Sequence, residues 1–298
     1  MNIHLHGEGA DMTSAAVTNN TDTARDRRMV DGEDLEALIG PDSAFRRHTD
    51  DWRVMLVLGR ASLLQAAYPL VSAGVVDHGR ILRDPVDRVV STARYANELM
   101  LGPDPVGTAR AIREMHRDIT GVDAEGTRYH AWNRDAWTWV HLTICEAVIR
   151  GINMFHNASE DEVEEVYAGL RMIGRLYQVR GQDMPPTVPE LLVWFDNAID
   201  HDIVDTQFLA DLRAYLRQPT QPPQIANWLW PLLRPAAGPI VTHATNVLTG
   251  MLPAHIRHWY APSGRTVIHQ AEYTVAVALL RGLSMLPSRF HTVSATRS

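Results

Sequence analysis

The sequence contains no lysine and only one cysteine, Cys145. Its 28 basic residues are therefore all arginine, which we interpret as the codon bias of a GC-rich genome. Without lysine the chain has no side-chain amine for a Schiff base, so any fixed cation in a site must be arginine or protonated histidine. A lone cysteine forms neither an intrachain disulfide nor, by itself, a zinc or iron–sulfur site, and a reducing compartment is favoured.

Positive charge and long apolar runs are also scarce. The formal net charge is -7, so no basic field is available to hold a phosphate backbone, which argues against nucleic acid as the main partner. No apolar run reaches the roughly 18 residues that span a bilayer. Residues 1–30 are polar and lack the apolar core of a secretory signal. These absences predict a cytoplasmic protein without a membrane span.

Hydrophobic residues make up 45% of the 298 positions, enough for a sizeable core. Residues 1–29 are rich in small polar side chains and predict a loosely packed arm. Residues 288–298 resemble it and predict a polar tail. Between them, residues 30–287 show helical spacing and almost no alternating, strand-like stretches. We therefore predict an all-α fold, a single multi-helix domain.

Capping residues and prolines predict the helix boundaries. The first strong helix runs from Asp51 to Gly74 and is apolar nearly all round, with a bend where Pro69 removes an amide. One short extended piece is predicted over residues 126–131. The remaining helices are predicted over 85–101, 105–120, 133–151, 159–178, from 187 onward, and over 205–217, 239–250 and 268–286.

Several catalytic patterns are absent from the sequence. It has no glycine-rich phosphate loop, no His-Glu-x-x-His and no Glu-x-x-His. What remains is a set of polar residues on consecutive apolar helices. Arg88 and Thr92 stand four residues apart on one helix face, and His116 lies on the next helix among apolar neighbours. Haem requires a neutral imidazole on a rigid element, and arginine can clamp its propionates. A histidine on an apolar face is more often an ordinary core residue, and the spacing alone leaves both interpretations open.

Five stretches together carry a resemblance to a known family. They are Gly59–Val75 (GRASLLQAAYPLVSAGV), Asp84–Thr92 (DPVDRVVST), Arg113–Gly121 (REMHRDITG), Tyr129–Thr143 (YHAWNRDAWTWVHLT) and Thr249–Pro253 (TGMLP). In this order they resemble the latex-clearing proteins and MpaB-type oxygenases, a group of haem-b proteins. The resemblance implies an all-α fold that encloses a haem pocket and holds haem b between helices. It also implies His116 as the iron ligand, with Arg88 and Thr92 near the cofactor.

The chain departs from the family pattern at positions that bear on the substrate. Members commonly have His-Pro where this chain has Tyr68-Pro69, so Tyr68 is a candidate distal residue, with a neutral core substitution as the alternative. In the latex-clearing branch a lysine precedes the threonine, whereas Ser91 precedes Thr92 here. The machinery for polyisoprene cleavage is thus incomplete. We expect a small or medium hydrophobic substrate, as for a biosynthetic tailoring enzyme, and dioxygen or peroxide as the oxidant.

Three functions remain open from the sequence. The first is a haem-b oxidoreductase that cleaves, hydroxylates, desaturates or cyclises its substrate, with Tyr68 and Thr92 as catalytic candidates and Arg88, Thr92 and His116 as haem-binding residues. The second is a haem sensor or carrier without turnover, whose iron takes a sixth ligand from Tyr68, His78 or His141. The third is a helical interaction protein without a cofactor. The pattern does not determine the oligomeric state.

Overall fold

The computed structural model describes residues 33–78, 85–123, 126–217, 221, 225–260, 266–287 and 290–293. The predicted arm of residues 1–29 lies outside this part of the chain. The α-helices within it are α1 (Glu33–Ile39), α2 (Ala44–Thr49), α3 (Trp52–Leu56), α4 (Leu58–Ala66), α5 (Pro69–His78), α6 (Pro85–Leu101), α7 (Pro105–Met115), α8 (Arg134–Phe155), α9 (Glu160–Leu176), α10 (Val188–His201), α11 (Gln207–Arg217), α12 (Trp230–Gly250) and α13 (Thr266–Gly282). Strands β1 (Thr120–Val122) and β2 (Arg128–His130) form a small antiparallel hairpin. The predicted all-α single domain is confirmed.

Helix α8 is the central element of the described structure. It begins where the Asn133 side chain accepts hydrogen bonds from the backbone amides of Asp135 and Ala136, at the residue where the sequence predicts the start of a helix. Its buried side chains run from Ala136 to Phe155, on more than one face. The helices packed against it include α3, α4, α9, α10 and α13. An apolar helix that is buried nearly all round is a core helix, so the elements that carry polar side chains are arranged around α8.

The predicted helix over Asp51–Gly74 is divided into α3, α4 and α5. The break falls at Pro69, where the segments Trp52–Ala66 and Pro69–His78 meet at 96°. Proline lacks the amide that would continue the helical ladder, but it is well suited to a first turn. The predicted bend is therefore present as a full change of direction, and α5 continues to His78, beyond the predicted end.

Two predicted boundaries differ from the structure by five residues or more. Helix α7 ends at Met115 and not near Thr120, because β1 pairs with β2 and places Gly121 opposite Tyr129. A Cβ atom at Gly121 would overlap the ring and hydroxyl of Tyr129, so this close approach favours glycine. Helix α12 begins at Trp230 and contains Pro239, at which the sequence predicts a start. The helix starts earlier, where the Trp230 amide donates a hydrogen bond to the Ala226 carbonyl oxygen.

Part of the predicted C-terminal tail is packed against the start of α3. Two backbone hydrogen bonds join residues 291–293 to residues 50–52. The Trp52 amide donates to the His291 carbonyl oxygen at 3.1 Å, and the Val293 amide donates to the Asp50 carbonyl oxygen at 2.7 Å. The Asp51 carboxylate is buried there and is paired with Arg53. The imidazoles of His156 and His291 approach Asp51 Oδ2 to 3.2 and 3.5 Å. One buried carboxylate thus joins three distant parts of the chain.

A second buried ion pair joins α4 to α8. The Arg60 guanidinium donates two hydrogen bonds of 2.9 Å to the Glu146 carboxylate, and the two side chains are 1% and 0% exposed. Arg60 also donates to the Met251 carbonyl at the end of α12. Two parallel N–H···O bonds are the favoured geometry for arginine and carboxylate, and they satisfy both charges away from water.

We predict that Glu146→Gln lowers the free energy of unfolding by about 3–5 kcal/mol, because it leaves the Arg60 charge buried without a counter-charge. Urea denaturation measures this change. The matched control is Glu114→Gln, whose ion pair with Arg117 is 45% and 58% exposed, and which should cost less than about 1 kcal/mol. Equal losses in the two variants would contradict a special role for the buried pair.

We also predict that Asp51 makes the fold acid-sensitive. Burial alone would raise the pKa of this carboxyl, but His156 and Arg53 outweigh that effect and hold its pKa well below the usual value. Because the unfolded state then binds more protons below about pH 3.9, stability is lost as the pH falls through that region. Asp51→Asn should be less stable at pH 7 and should flatten this acid limb in denaturation curves. The exposed Asp42→Asn should leave the curve unchanged.

Candidate functional site

His116 stands directly after the last residue of α7 and caps that helix. Its Nδ1 atom lies 2.7 Å from the Ile112 carbonyl oxygen. A carbonyl oxygen can only accept a hydrogen bond, so Nδ1 carries the proton and donates it. In a neutral imidazole with Nδ1 protonated, Nε2 holds the lone pair, which is the arrangement of many metal-ligating histidines. The chemistry of His116 therefore fits an iron ligand.

The ring of His116 packs edge-to-face on Trp137, with centroids 5.4 Å apart. The Trp137 indole N–H donates to the Tyr177 carbonyl oxygen at 3.0 Å, which fixes the indole in place. Arg113 lies one turn before His116, and its guanidinium stacks over Trp132 at 4.3 Å. Trp132 and Trp137 form an aromatic frame beside His116, which the sequence analysis did not predict as part of the site. The signal that could have found it is the Trp-rich stretch Tyr129–Thr143, which supported only the family resemblance.

Arg88 and Thr92 lie on α6, which packs against α7, the helix that ends at His116. The Arg88 side chain lies outside the part of the chain that the structure describes. Thr92 is exposed. The structure thus places the two residues on the helix that precedes α7, as the helical pattern of the sequence predicts, and their contacts with haem remain predictions.

Tyr68 stands at the sharp turn before α5. Its ring stacks on Trp139 at 5.4 Å, and Trp139 in turn stacks on Phe195. Burial raises the pKa of the Tyr68 hydroxyl, with smaller contributions from Asp135 and Asp202. Side chains two positions apart on an α-helix differ in direction by about 200°, so Trp137 and Trp139 leave α8 on opposite sides. Tyr68 and His116 therefore contact opposite sides of α8, and the distal role of Tyr68 stays a prediction.

The other two candidates for a sixth ligand have packing partners of their own. The Nε2 atom of His78 lies 3.0 Å from the Thr120 carbonyl oxygen. His141 is buried beside Cys145, and burial lowers its pKa to about 4, so it is neutral at pH 7. The rings of Tyr177 and Trp137 stand between His141 and His116, with successive centroids 6.0, 6.2 and 5.4 Å apart.

The metal-binding capacity of the site rests on one histidine. Among the residues that the structure describes, no group of three or more His, Cys, Asp and Glu side chains could hold a metal ion. The iron of haem takes four ligands from the porphyrin and needs only one or two from the protein. A single neutral imidazole such as that of His116 meets this requirement.

Within the described ranges, no single helix combines the length and the apolar character that a membrane crossing requires. One bent pair, Trp52–Ala66 with Pro69–His78, is long and apolar enough by length and composition only.

Comparison with known proteins identifies one family. A search of curated proteins and a search of solved structures each returned no match. Residues 46–282 match the family model described as ER-bound oxygenase mpaB/B'/Rubber oxygenase, catalytic domain. The matched segment contains α3 to α13 and therefore His116, the hairpin and the central helix. This chain belongs to the family of mpaB and rubber oxygenase catalytic domains.

Proposed function

We propose that this oxygenase-family protein is a haem-b-dependent enzyme that oxidises a small hydrophobic molecule, with His116 as the protein ligand to the iron. The observation that supports this proposal best is the hydrogen bond from His116 Nδ1 to the Ile112 carbonyl oxygen. It selects the tautomer whose Nε2 can bind iron. Family membership over residues 46–282 supports the oxygenase class of the reaction.

Each candidate residue would have a distinct part in holding the cofactor. His116 would ligate the iron, and its edge-to-face contact with Trp137 would fix the plane of the imidazole. Arg88 would neutralise the haem propionates through charge-assisted hydrogen bonds. Thr92, one turn further along α6, would donate a hydrogen bond close to the cofactor.

When bound, the haem would supply the iron at which dioxygen or peroxide is activated. The protein would orient the substrate and exclude water. Helix α5 is suited to this part because it is rich in apolar residues and only Ser72 of its ten residues is buried. Its C-terminal end contacts the β1–β2 hairpin that follows His116. Partly exposed apolar surface beside the hairpin that follows His116 supports a hydrophobic substrate.

We predict that the purified protein binds haemin with a strong Soret band and that His116→Gly loses or shifts this band. Removing the imidazole removes the axial ligand, and added free imidazole should restore the wild-type spectrum by occupying the space. His255→Ala is the matched control, because His255 is 57% exposed and is paired with Asp200. It should leave the spectrum unchanged.

The same spectra discriminate between the alternatives. A high-spin ferric spectrum indicates an open position on the iron, as oxygen activation requires. A low-spin, six-coordinate spectrum that becomes high-spin in Tyr68→Phe, His78→Ala or His141→Ala would support a sensor or carrier instead. A wild-type protein that takes up no haemin would refute the haem proposal, while a His116→Gly variant with an unchanged spectrum would refute the assignment of the ligand.

We predict that Arg88→Gln weakens haemin binding about tenfold to a hundredfold, because a hydrogen bond to a charged group contributes about 1.5–3 kcal/mol. Fluorescence quenching of the tryptophans by haemin measures the affinity. Arg110→Gln, an exposed position on α7, removes the same charge and should leave the affinity unchanged. Equal weakening in both variants would indicate a general charge effect and not a propionate contact.

A further inference from the structure

A positively charged cleft lies at the C-terminal part of α8, between this helix, α4 and the α12–α13 pair. Its volume is about 250 Å³. Three arginines line it, Arg60 from α4, Arg150 from α8 and Arg281 from α13. Arg150 follows Trp137 by 13 residues, which corresponds to about 20 Å along the helix axis at 1.5 Å per residue. The cleft is thus separate from the surroundings of His116.

The charges around this cleft do not cancel. Arg60 and Arg150 share one carboxylate, that of Glu146, which accepts hydrogen bonds from the Nε atoms of both. The Nε atom of Arg281 donates to a neutral acceptor, the Met154 carbonyl oxygen, at 2.8 Å. No aspartate or glutamate is among the described residues that line the cleft. Three guanidinium groups and one carboxylate leave two positive charges, in a chain whose formal net charge is -7.

The arginines present hydrogen-bond donors in a partly fixed arrangement. Arg60 is 1% exposed, and Glu146 holds it in place. Because Arg150 and Arg281 are held at Nε, their terminal amino groups are available to a ligand. The side chains of Asn153 and Tyr273 add further polar groups to the lining. A planar guanidinium group matches the two oxygens of a carboxylate.

Met154 and Met251 add a smaller apolar surface to this mainly polar lining, and Val57 beside them is only 1% exposed. A ligand that fits has an anionic head for the arginines and a short apolar body for the two methionines. We infer that this cleft is a binding site for a small amphipathic carboxylate, distinct from the proposed haem site.

The test uses hexanoate as the probe and isothermal titration calorimetry on the purified protein. We expect hexanoate to bind, with an affinity that falls as salt is added because the attraction is electrostatic. The uncharged 1-hexanol should bind at least about tenfold more weakly, since it cannot form the paired charge-assisted bonds. Inorganic phosphate should also bind more weakly, because it has no apolar body to contact Met154 and Met251.

Two glutamine variants test the assignment without altering the buried Arg60. Arg150→Gln and Arg281→Gln should each weaken hexanoate binding about tenfold, and Arg281→Lys, which keeps the charge, should recover part of the loss. Arg128→Gln, an exposed position on β2, is the control for net charge and should bind like the wild type. Thermal unfolding by circular dichroism checks that each variant is folded.

Three results would overturn the inference. Hexanoate binding that survives in both folded variants would place the ligand elsewhere. Equal binding of hexanoate and 1-hexanol would show a merely apolar cleft, and equal binding of phosphate and hexanoate would show a general anion site without selectivity for a carboxylate. None of these results depends on haem, so the proposed function and this site can fail independently.

Discussion

The buried ion pair between Arg60 and Glu146 is the interaction on which the other parts of the described structure depend. It fixes α4 against the central helix α8, and through the Met251 carbonyl it also fixes the end of α12. A buried charge is tolerated only when its partner and its hydrogen bonds are complete. The pair therefore requires one relative position of these helices, which packing of apolar side chains alone specifies less strictly.

Helix α8 separates two chemical environments as a consequence of this placement. Trp137 contacts His116 on one side, whereas Trp139 contacts Tyr68 on the other. On the His116 side the hydrogen bond to the Ile112 carbonyl selects the tautomer, and an aromatic frame holds the ring. On the Tyr68 side the rings of Tyr68, Trp139 and Phe195 stack in sequence. The Arg60 guanidinium lies over Phe195, 5.9 Å from the ring centroid, so the second environment adjoins the ion pair.

His141 and His116 stand at the two ends of one series of ring contacts, and their different surroundings give them different chemistry. His141 is fully enclosed beside Cys145, and burial keeps it neutral by lowering its pKa to about 4. It fits there because position 174 is glycine, where a Cβ atom would lie 2.5 Å from the imidazole. His116 is only partly buried, at a helix end. The first is suited to packing and the second to ligation, although the sequence places both in largely apolar helical stretches.

The sequence by itself determined the fold class, the start of α8 at Asn133, the start of α9 after Ser159, the break at Pro69 and the family. These features depend on local rules, since a cap, a proline or a short motif acts within a few residues. Only the tertiary structure decided where α7 ends, because the Gly121–Tyr129 contact requires a hairpin that no local signal specifies. It also decided that Tyr68 and His116 face opposite sides of α8 and that Arg281 joins Arg60 and Arg150. Those groupings depend on packing between residues far apart in the chain, which helical periodicity cannot show.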